Sequence, residues 1–371
     1  MGENAVYWVW LNELRGLSLK SKRKLLETLG SPREIFHASL DTITYILVTG
    51  SRHASSVAEG SMEMAYASVW AGRTLEVAEL VLTNNEKHAI HILCAPDEIY
   101  RPIFTSDLQA PLVLYYRGTL SNSSVPVVGV IGSRSCTPYG QMVTKVAVAE
   151  LVGKGNIIVS GLSFGIDALA HQTTLEHQGM TYAFLPCGLH KAQPASHTAL
   201  MERIADTGAV IKAYAFGKEA LPFLFIGRIS VLASWCDTLL VIEARNKNGS
   251  MNTARTALAK GKRVLAVPNS LLEPKSCGTN HLLAEGAQVY LNDQLLVCDS
   301  TPQPPAFESS VHRSEEAIVE ALHNRAHTTS EIDILLDDDT KLSVMEFLAD
   351  MELADKIVFR SDGKWHLLEG I

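Results

Sequence analysis

Cysteine, long apolar runs and positive charge are all scarce in this sequence. Its six cysteines are scattered through 371 residues without a C-x-x-C pair, which argues against a disulfide framework and a cysteine zinc site. No apolar run reaches the roughly 18 to 20 residues that cross a bilayer. The amino end, MGENAVYWVW, lacks a charged leader. We therefore expect a cytoplasmic protein with no membrane partner, no bound metal and no cofactor.

The net charge of −8 is not spread evenly along the chain. Residues His312 to Ile371 include fourteen acidic and six basic side chains, so this stretch accounts for the whole imbalance. The remainder is neutral, and within it the segment Arg245–Arg263 contains six basic residues and no acidic one. An acidic total therefore does not exclude an anion-binding face on the neutral part of the chain.

The periodicity of apolar residues divides the chain into three domains and a linker. Residues 1–100 predict a helical domain, similar to SAM or helix-hairpin-helix modules, in which Gly30 ends one helix and Ser31-Pro32 begins the next. Residues 101–299 alternate apolar runs with helix-like stretches, which indicates a parallel sheet covered by helices. Residues 300–311 form a Pro/Ser linker, and 312–371 predict a winged helix that ends in a hairpin. The predicted fold class is α/β, an extended Rossmann-like core between a helical and a winged-helix-like domain.

In a parallel α/β sheet, ligands bind at the loops that leave the carboxyl ends of the strands. The first such loop follows the run VVGVI and contains Gly132, Ser133 and Arg134, whose amides and guanidinium suit a phosphate. It is neither a G-x-G-x-x-G fingerprint nor a Walker loop. Three further loops are rich in Gly, Ser and Asn: 161–165, 247–250 and 278–280. Together the four loops predict a polyanion or a nucleotide as the ligand.

Two other interpretations remain open at this point. The sequence GLSFG at 161–165 matches the G-x-S-x-G motif of hydrolases, with Ser163 as the nucleophile. Its candidate triad partners are acids and histidines: Asp237 with His281, and Asp167 with His171. Two turn glycines and a helix cap explain the same residues without catalysis. The loops would also suit one small phosphorylated ligand, which would make the chain a nucleotide-binding or nucleotide-processing Rossmann protein.

Five motifs, in order, resemble the DprA/Smf family of DNA-processing proteins. They are VVGVIGSRSCTPYG, VSGLSFGIDALAHQTTL, FLPCGL, LLVIEARNKNGSMNTARTALAKGKRVLAVP and CGTNHLLAEGA. The resemblance spans residues 105–290, and the segment YWVWLNELRGLSLKSKRKLLETLGSPREIF is similar to the family's helical start. It implies a recombination mediator, not an enzyme, that binds single-stranded DNA and forms a homodimer. It also implies that the protein loads a RecA-type recombinase during DNA uptake in natural transformation.

The resemblance and the chemistry of the loops together predict the DNA contacts. Phosphates would meet Arg134, Lys247, Arg228 and the amides of the glycine turns. The candidates for stacking on bases are Tyr139, Phe164 and Phe225. The predicted DNA-binding residues, all in or beside the loops, are Gly132, Ser133, Arg134, Tyr139, Gly140, Gly161, Phe164, Gly165, Arg228, Lys247, Gly249, Ser250 and Asn280. No catalytic residue and no metal ligand is predicted.

The chain departs from the family pattern at several positions. The family usually has F-P-x-R-N-R where this chain has FIGRIS, so only Phe225 and Arg228 match, and Ser230 replaces an arginine. Lys212, which stands where the family usually has serine, would partly offset that loss of charge. His197 stands where asparagine is usual.

The candidate recognition helix of the winged helix is acidic. The segment KLSVMEFLADMELADK has lysine only at its two ends and acidic residues between them. Repulsion from phosphate predicts that it does not read duplex DNA. A contact with a partner protein, or a packing role alone, is expected instead.

Overall fold

The structure is a computed structural model that divides the chain into two compact units. It describes residues 4–14, 17–48, 70, 73–121, 125–186, 189, 192, 194–213, 224–246, 248–273, 277–291, 318, 322, 325, 327–328, 331–332, 348, 357–359 and 364–367. The first unit comprises Met1–Ala95, Pro111–Val113 and Ser310–Ile371. The second comprises Pro96–Ala110 and Leu114–Ser309. The predicted division into three domains and a linker remains a prediction.

The amino-terminal part of the first unit is helical. Its described elements are α1 (Ala5–Glu13), α2 (Leu19–Leu29), α3 (Pro32–His37), α4 (Leu40–Val48), α5 (Glu76–Lys87) and strand β1 (His91–Cys94). Helix α2 begins at Ser18, whose Oγ accepts a hydrogen bond from the amide of Ser21, and ends at Gly30, which has a φ of 85°. Ser31 caps α3, with Pro32 in the first turn. The predicted helix end and restart are therefore confirmed.

The described carboxyl-terminal residues of the first unit contain a hairpin. Strands β10 (Ile357–Phe359) and β11 (Trp365–Leu367) pair antiparallel, with Val358 opposite His366. The apolar side chains buried together here are Ile318, Leu322, Ile332, Leu348, Ile357 and Trp365. The predicted hairpin is confirmed, whereas most of the candidate recognition helix lies outside the described residues. The winged helix therefore stays a prediction.

The second unit alternates strands and helices. Its strands are β2 (Val113–Gly118), β3 (Val127–Gly132), β4 (Ile157–Ser160), β5 (Thr181–Phe184), β6 (Ala209–Lys212), β7 (Thr238–Glu243), β8 (Arg263–Ala266) and β9 (Gln288–Val289). Its helices are α6 (Arg101–Ser106), α7 (Pro138–Gly153), α8 (Ile166–Glu176), α9 (Thr198–Thr207), α10 (Leu224–Trp235), α11 (Gly249–Ala259) and α12 (Cys277–Ala284), and a short 3₁₀ turn covers Ala195–His197.

The strand order places a topological switch between β3 and β7. The strands of this unit hydrogen-bond in the order β2-β6-β5-β4-β3-β7-β8-β9. In this order, each pair of neighbouring strands from β6 onward is parallel. The first pair, β2 with β6, is antiparallel, with Tyr116 opposite Ile211. The chain moves outward from β3 to β6, then returns to β7 beside β3. The predicted parallel α/β core is confirmed, and ligands of such sheets bind at the carboxyl ends of the two strands at the switch.

The sheet is buried as the apolar runs predicted. All four residues of β4, β5 and β6 are buried, which is typical of strands covered on both faces. On one face, Val128 and Val130 of β3 pack with Val148 and Leu151 of α7. No helix in the described part of the chain is long and apolar enough to cross a bilayer. The cysteines described there are free thiols: Cys94, Cys136, Cys236 and Cys277.

Candidate nucleic-acid interface

The first loop, 133–137, joins β3 to α7 at the switch point. The Ser133 amide donates to the Glu243 carbonyl at 2.7 Å, which ties the loop to the end of the neighbouring strand β7. Thr137 begins α7, because its Oγ1 accepts a hydrogen bond from the Gly140 amide at 3.1 Å. Between these two anchors the Arg134 side chain is exposed to solvent. It forms no hydrogen bond or ion pair with any residue that the structure describes.

The buried carboxylate of Glu243 sets the shape of the first loop. Its Oε2 accepts hydrogen bonds from the Thr137 amide at 2.9 Å and from the Thr137 hydroxyl at 3.0 Å. A Cβ at Gly140 would overlap this oxygen, so the glycine allows the helix start to approach Glu243. Gly140 is itself buried. Gly140 therefore supports the first loop by allowing its contact with Glu243, and it does not offer a surface to DNA.

The second loop, 161–165, joins β4 to α8 and touches the backbone of the first. Gly165 has a φ of 75°, in the left-handed region that favours glycine. A Cβ there would overlap the Ser133 carbonyl oxygen and crowd the Arg134 backbone. The Ile166 amide donates to the same Ser133 carbonyl at 3.2 Å. The structure therefore brings together the two loops that the sequence placed at one edge of the sheet.

Arg228 of α10 points into the second loop. Its Nη1 donates to the Gly161 carbonyl at 3.0 Å, and its charge lies close enough to Asp167 to affect that carboxyl group. Burial raises the pKa of Asp167, while the charge of Arg228 and hydrogen bonds from Ser163 act in the opposite direction. Arg228, predicted as a phosphate partner, thus holds the loop in this structure.

Two aromatic rings of the predicted site are exposed. Phe164, in the second loop, is 50% exposed, and its ring meets the ring of His197 edge to face at 4.9 Å between centroids. Tyr139, in the first turn of α7, is 42% exposed, and its hydroxyl donates to the Pro268 carbonyl at 3.3 Å. Both rings therefore offer a surface on which a base can stack. The side chain of Phe225 lies outside the described residues.

The third loop follows β7 and contributes a cation that sequence reasoning missed. Lys247, the predicted phosphate partner in this loop, lies outside the described residues. Arg245 is exposed and, like Arg134, forms no hydrogen bond or ion pair within the described ranges. It follows β7 by two residues, as Arg134 follows β3, and those strands are neighbours. Adjacent strands lie about 4.8 Å apart, so the two arginines follow neighbouring strand ends at the same edge of the sheet. Only the strand order could have shown that Arg245 lies near Arg134.

The remaining predicted residues of the third and fourth loops connect parts of the protein to each other. Ser250 Oγ donates to the Gly132 carbonyl at 2.9 Å, which joins the start of α11 to the end of β3. Asn280 bonds Asn269 twice: its Nδ2 donates to the Asn269 carbonyl, and its Oδ1 accepts from the Asn269 amide. Gly249 is the first residue of α11. These residues shape the loops, and among the loop residues that the structure describes, Arg134 and Arg245 are the exposed cations that form no ion pair.

Lys212 does not replace the arginine missing at Ser230. It is 3% exposed, and its ammonium lies over the ring of Tyr115 at 5.9 Å from the centroid. A buried ammonium is not available to a phosphate at the surface, so the expected compensation is wrong. Ser230 is also buried, on α10.

The triads proposed for a serine hydrolase do not form. Asp237 Oδ2 accepts a hydrogen bond from the Val127 amide at 2.9 Å, at the amino end of β3. Ser163 follows the carboxyl end of the parallel strand β4, so the two side chains belong to opposite edges of the sheet. His281 lies on α12, where its Nδ1 donates to its own helix at the Cys277 carbonyl. The second candidate base, His171, is fully buried and donates to Thr181 instead.

Comparison with known proteins gives one consistent match. The family model for DNA recombination-mediator protein A matches residues 91–299. The putative DNA processing protein DprA of Mycobacterium tuberculosis is 31% identical over 270 residues, which cover 70% of this chain and 69% of that protein. DprA of Streptococcus pneumoniae is 33% identical over 198 residues, or 53% of this chain and 70% of its own. The X-ray structure of DprA from S. pneumoniae superimposes with a TM-score of 0.65 at 27% identity, over 77% of this chain and 94% of that one. The predicted resemblance is confirmed, and the chain belongs to the DNA recombination-mediator protein A family.

Proposed function

We propose that this protein binds single-stranded DNA in the cytoplasm and acts as a recombination mediator without catalysing a reaction. One observation carries the proposal: two exposed arginines, Arg134 and Arg245, follow neighbouring strands at the switch point, and the loop that carries Phe164 packs through Gly165 against the Arg134 backbone. Arginine forks bind phosphate oxygens, and an exposed ring stacks on any base. A site of this kind suits a flexible polyphosphate chain whose bases are unpaired.

The family supports the next step of the proposal. A recombination mediator that holds single-stranded DNA places it where a RecA-type recombinase can assemble, as the sequence motifs imply for natural transformation. We therefore propose that the bound strand is handed to such a recombinase. We expect the recombinase to hydrolyse ATP faster on single-stranded DNA when this protein is added.

A charge reversal at either arginine tests the DNA site. Arg134→Glu and Arg245→Glu should each lower single-strand affinity by about tenfold, because each replaces a charge-assisted phosphate contact with repulsion. Lys154→Glu is the matched control, since it changes the charge equally at the other end of α7, where Lys154 pairs with Glu150 at the surface. Fluorescence anisotropy with a labelled oligonucleotide measures all three. Unchanged affinity in both arginine variants would remove this site.

A mononucleotide remains the competing ligand for the same loops. If the site holds an extended strand, a mononucleotide should displace the labelled oligonucleotide only at far higher concentration, because it offers one phosphate where the strand offers several. Equal competition per molecule would instead favour a nucleotide-binding protein.

We also propose that two copies associate as a homodimer. Leu271 and Leu272, in the segment after β8, are 85% and 91% exposed. Large adjacent apolar side chains in full contact with water are a common mark of a protein–protein surface. A second copy is the partner that the family resemblance implies.

A further inference from the structure

The second loop contains a residue in an unfavourable backbone conformation. Leu162 has a φ of 60°, and its side chain is fully buried. The left-handed region is costly for a leucine, so such a residue persists only where its surroundings hold it. The contacts of the Leu162 backbone therefore help to hold the loop in this shape, together with the bond from Arg228 to Gly161.

His197 holds the carbonyl group of Leu162. Its Nδ1 lies 3.0 Å from the Leu162 oxygen, and because a carbonyl can only accept, this nitrogen carries the proton. His197 is the last residue of the 3₁₀ turn that precedes α9, so it reaches the loop from the connection after β5. A side chain from a separate connection thus supports the strained residue.

The same imidazole supports the exposed ring of Phe164. The two rings meet edge to face, with centroids 4.9 Å apart and planes at 71°. Such pairs are favourable, and the contact restricts the ring while half of its surface stays open. Fixing the ring in advance removes part of the ordering cost that a stacking base would otherwise meet.

We infer that His197 is a positioning residue of the single-strand site, which presents Phe164 to an unpaired base. The inference rests on the proposed function and adds to it: the arginines bind the backbone of the strand, and the pair formed by Phe164 and His197 responds to its bases. The chemical group recognised by this pair is the flat face of a nucleobase, whatever its identity.

Two oligonucleotides of equal length and charge separate these contributions, one with normal bases and one with abasic sites. His197→Ala should weaken binding of the normal strand by about fivefold or more, the loss of one stacked base, and leave binding of the abasic strand unchanged. Phe164→Ala should behave in the same way. The double variant should bind the normal strand no more weakly than Phe164→Ala alone, because both residues act through one ring. His197→Asn keeps a donor for Leu162 and should recover part of the loss.

The outcomes distinguish this inference from the proposed function. Equal weakening of both strands by His197→Ala, or no weakening of either, would overturn the role of His197. So would additive losses in the double variant, or an asparagine variant no better than alanine. If the wild-type protein binds neither strand, or if Arg134→Glu and Arg245→Glu both leave binding of the abasic strand unchanged, the proposed function itself fails.

Discussion

At the scale of single residues, the most unusual environment belongs to His171 of α8. It is fully buried, and its Nδ1 donates to the Thr181 hydroxyl at 2.7 Å, which donates in turn to the Ile158 carbonyl. Its Nε2 has no hydrogen-bond partner among the described residues. Burial, and to a smaller extent the nearby His197, lowers the pKa of His171 from 6.5 to about 3. The ring is therefore neutral in the folded protein at any pH near neutrality.

This neutrality predicts a pH-dependent loss of stability. Below about pH 6.5, His171 is protonated in the unfolded chain but stays neutral in the folded protein. The free energy of unfolding therefore falls as the pH drops toward about 3. The contribution approaches about 1.4 kcal/mol per pH unit. His171→Asn keeps a donor for Thr181 and should remove this part of the slope. Urea denaturation at pH 7.5, 6.5 and 5.5 measures both proteins, and parallel slopes would contradict the prediction.

At the scale of elements, two glycines with similar positive φ values provide a comparison. Gly165 starts α8 with a φ of 75°, and a Cβ there would overlap the Ser133 carbonyl of the first loop. Gly155 follows α7 with a φ of 80° and has nothing within 4 Å of an added Cβ. Gly155→Ala should therefore cost only the backbone penalty, about 1 kcal/mol. Gly165→Ala should cost about 1–3 kcal/mol more, because it also forces the two loops apart.

The same pair of variants links loop geometry to binding. Chemical denaturation gives the difference in stability, and anisotropy with labelled single strands gives the difference in affinity. We expect Gly165→Ala to weaken DNA binding while Gly155→Ala leaves it unchanged. Equal effects of the two substitutions on both measurements would show that the contact between the loops is not needed.

The elements were predictable from the sequence to a greater degree than the orientation of side chains within the site. Apolar runs and glycine turns predicted the strands and the loops between them, because both depend on residues close in the chain. The contact of Arg228 with Gly161 and the hydrogen bonds of Asn280 with Asn269 depend on residues that are distant in sequence. Arg245 was missed for a related reason: its position beside Arg134 follows from β3 and β7 being neighbours. Strand order is a property of the whole sheet, which no local pattern contains.

At the scale of the whole molecule, the exposed leucines predict how the protein associates. Leu271→Glu/Leu272→Glu places two charges on the proposed contact between copies, which would be desolvated on association. We expect the variant to sediment as a monomer at concentrations where the wild-type protein is a dimer. Leu108→Glu is the control, since Leu108 is also exposed, at 74%, but lies in a different segment. A wild-type monomer, or a dimer that survives both leucine changes, would contradict the assignment.

The distribution of charge predicts which form of DNA the molecule prefers. The cations proposed to bind lie at one sheet edge in the neutral part of the chain, and the whole net charge of −8 resides in residues His312 to Ile371. A flexible single strand can follow one edge of a sheet and turn its unpaired bases toward exposed rings, whereas a stiff duplex keeps its bases stacked. Single strands should therefore bind more tightly than duplexes of equal length.

The affinity for single strands should fall with salt at a logarithmic slope of about −2 if three phosphates are neutralised. Titrations of both forms at about 50 and 200 mM salt measure this, since that range spans the steep part of the dependence. Tighter duplex binding, or a slope near zero for single strands, would mean that the arginines at the switch point do not hold the backbone of the DNA.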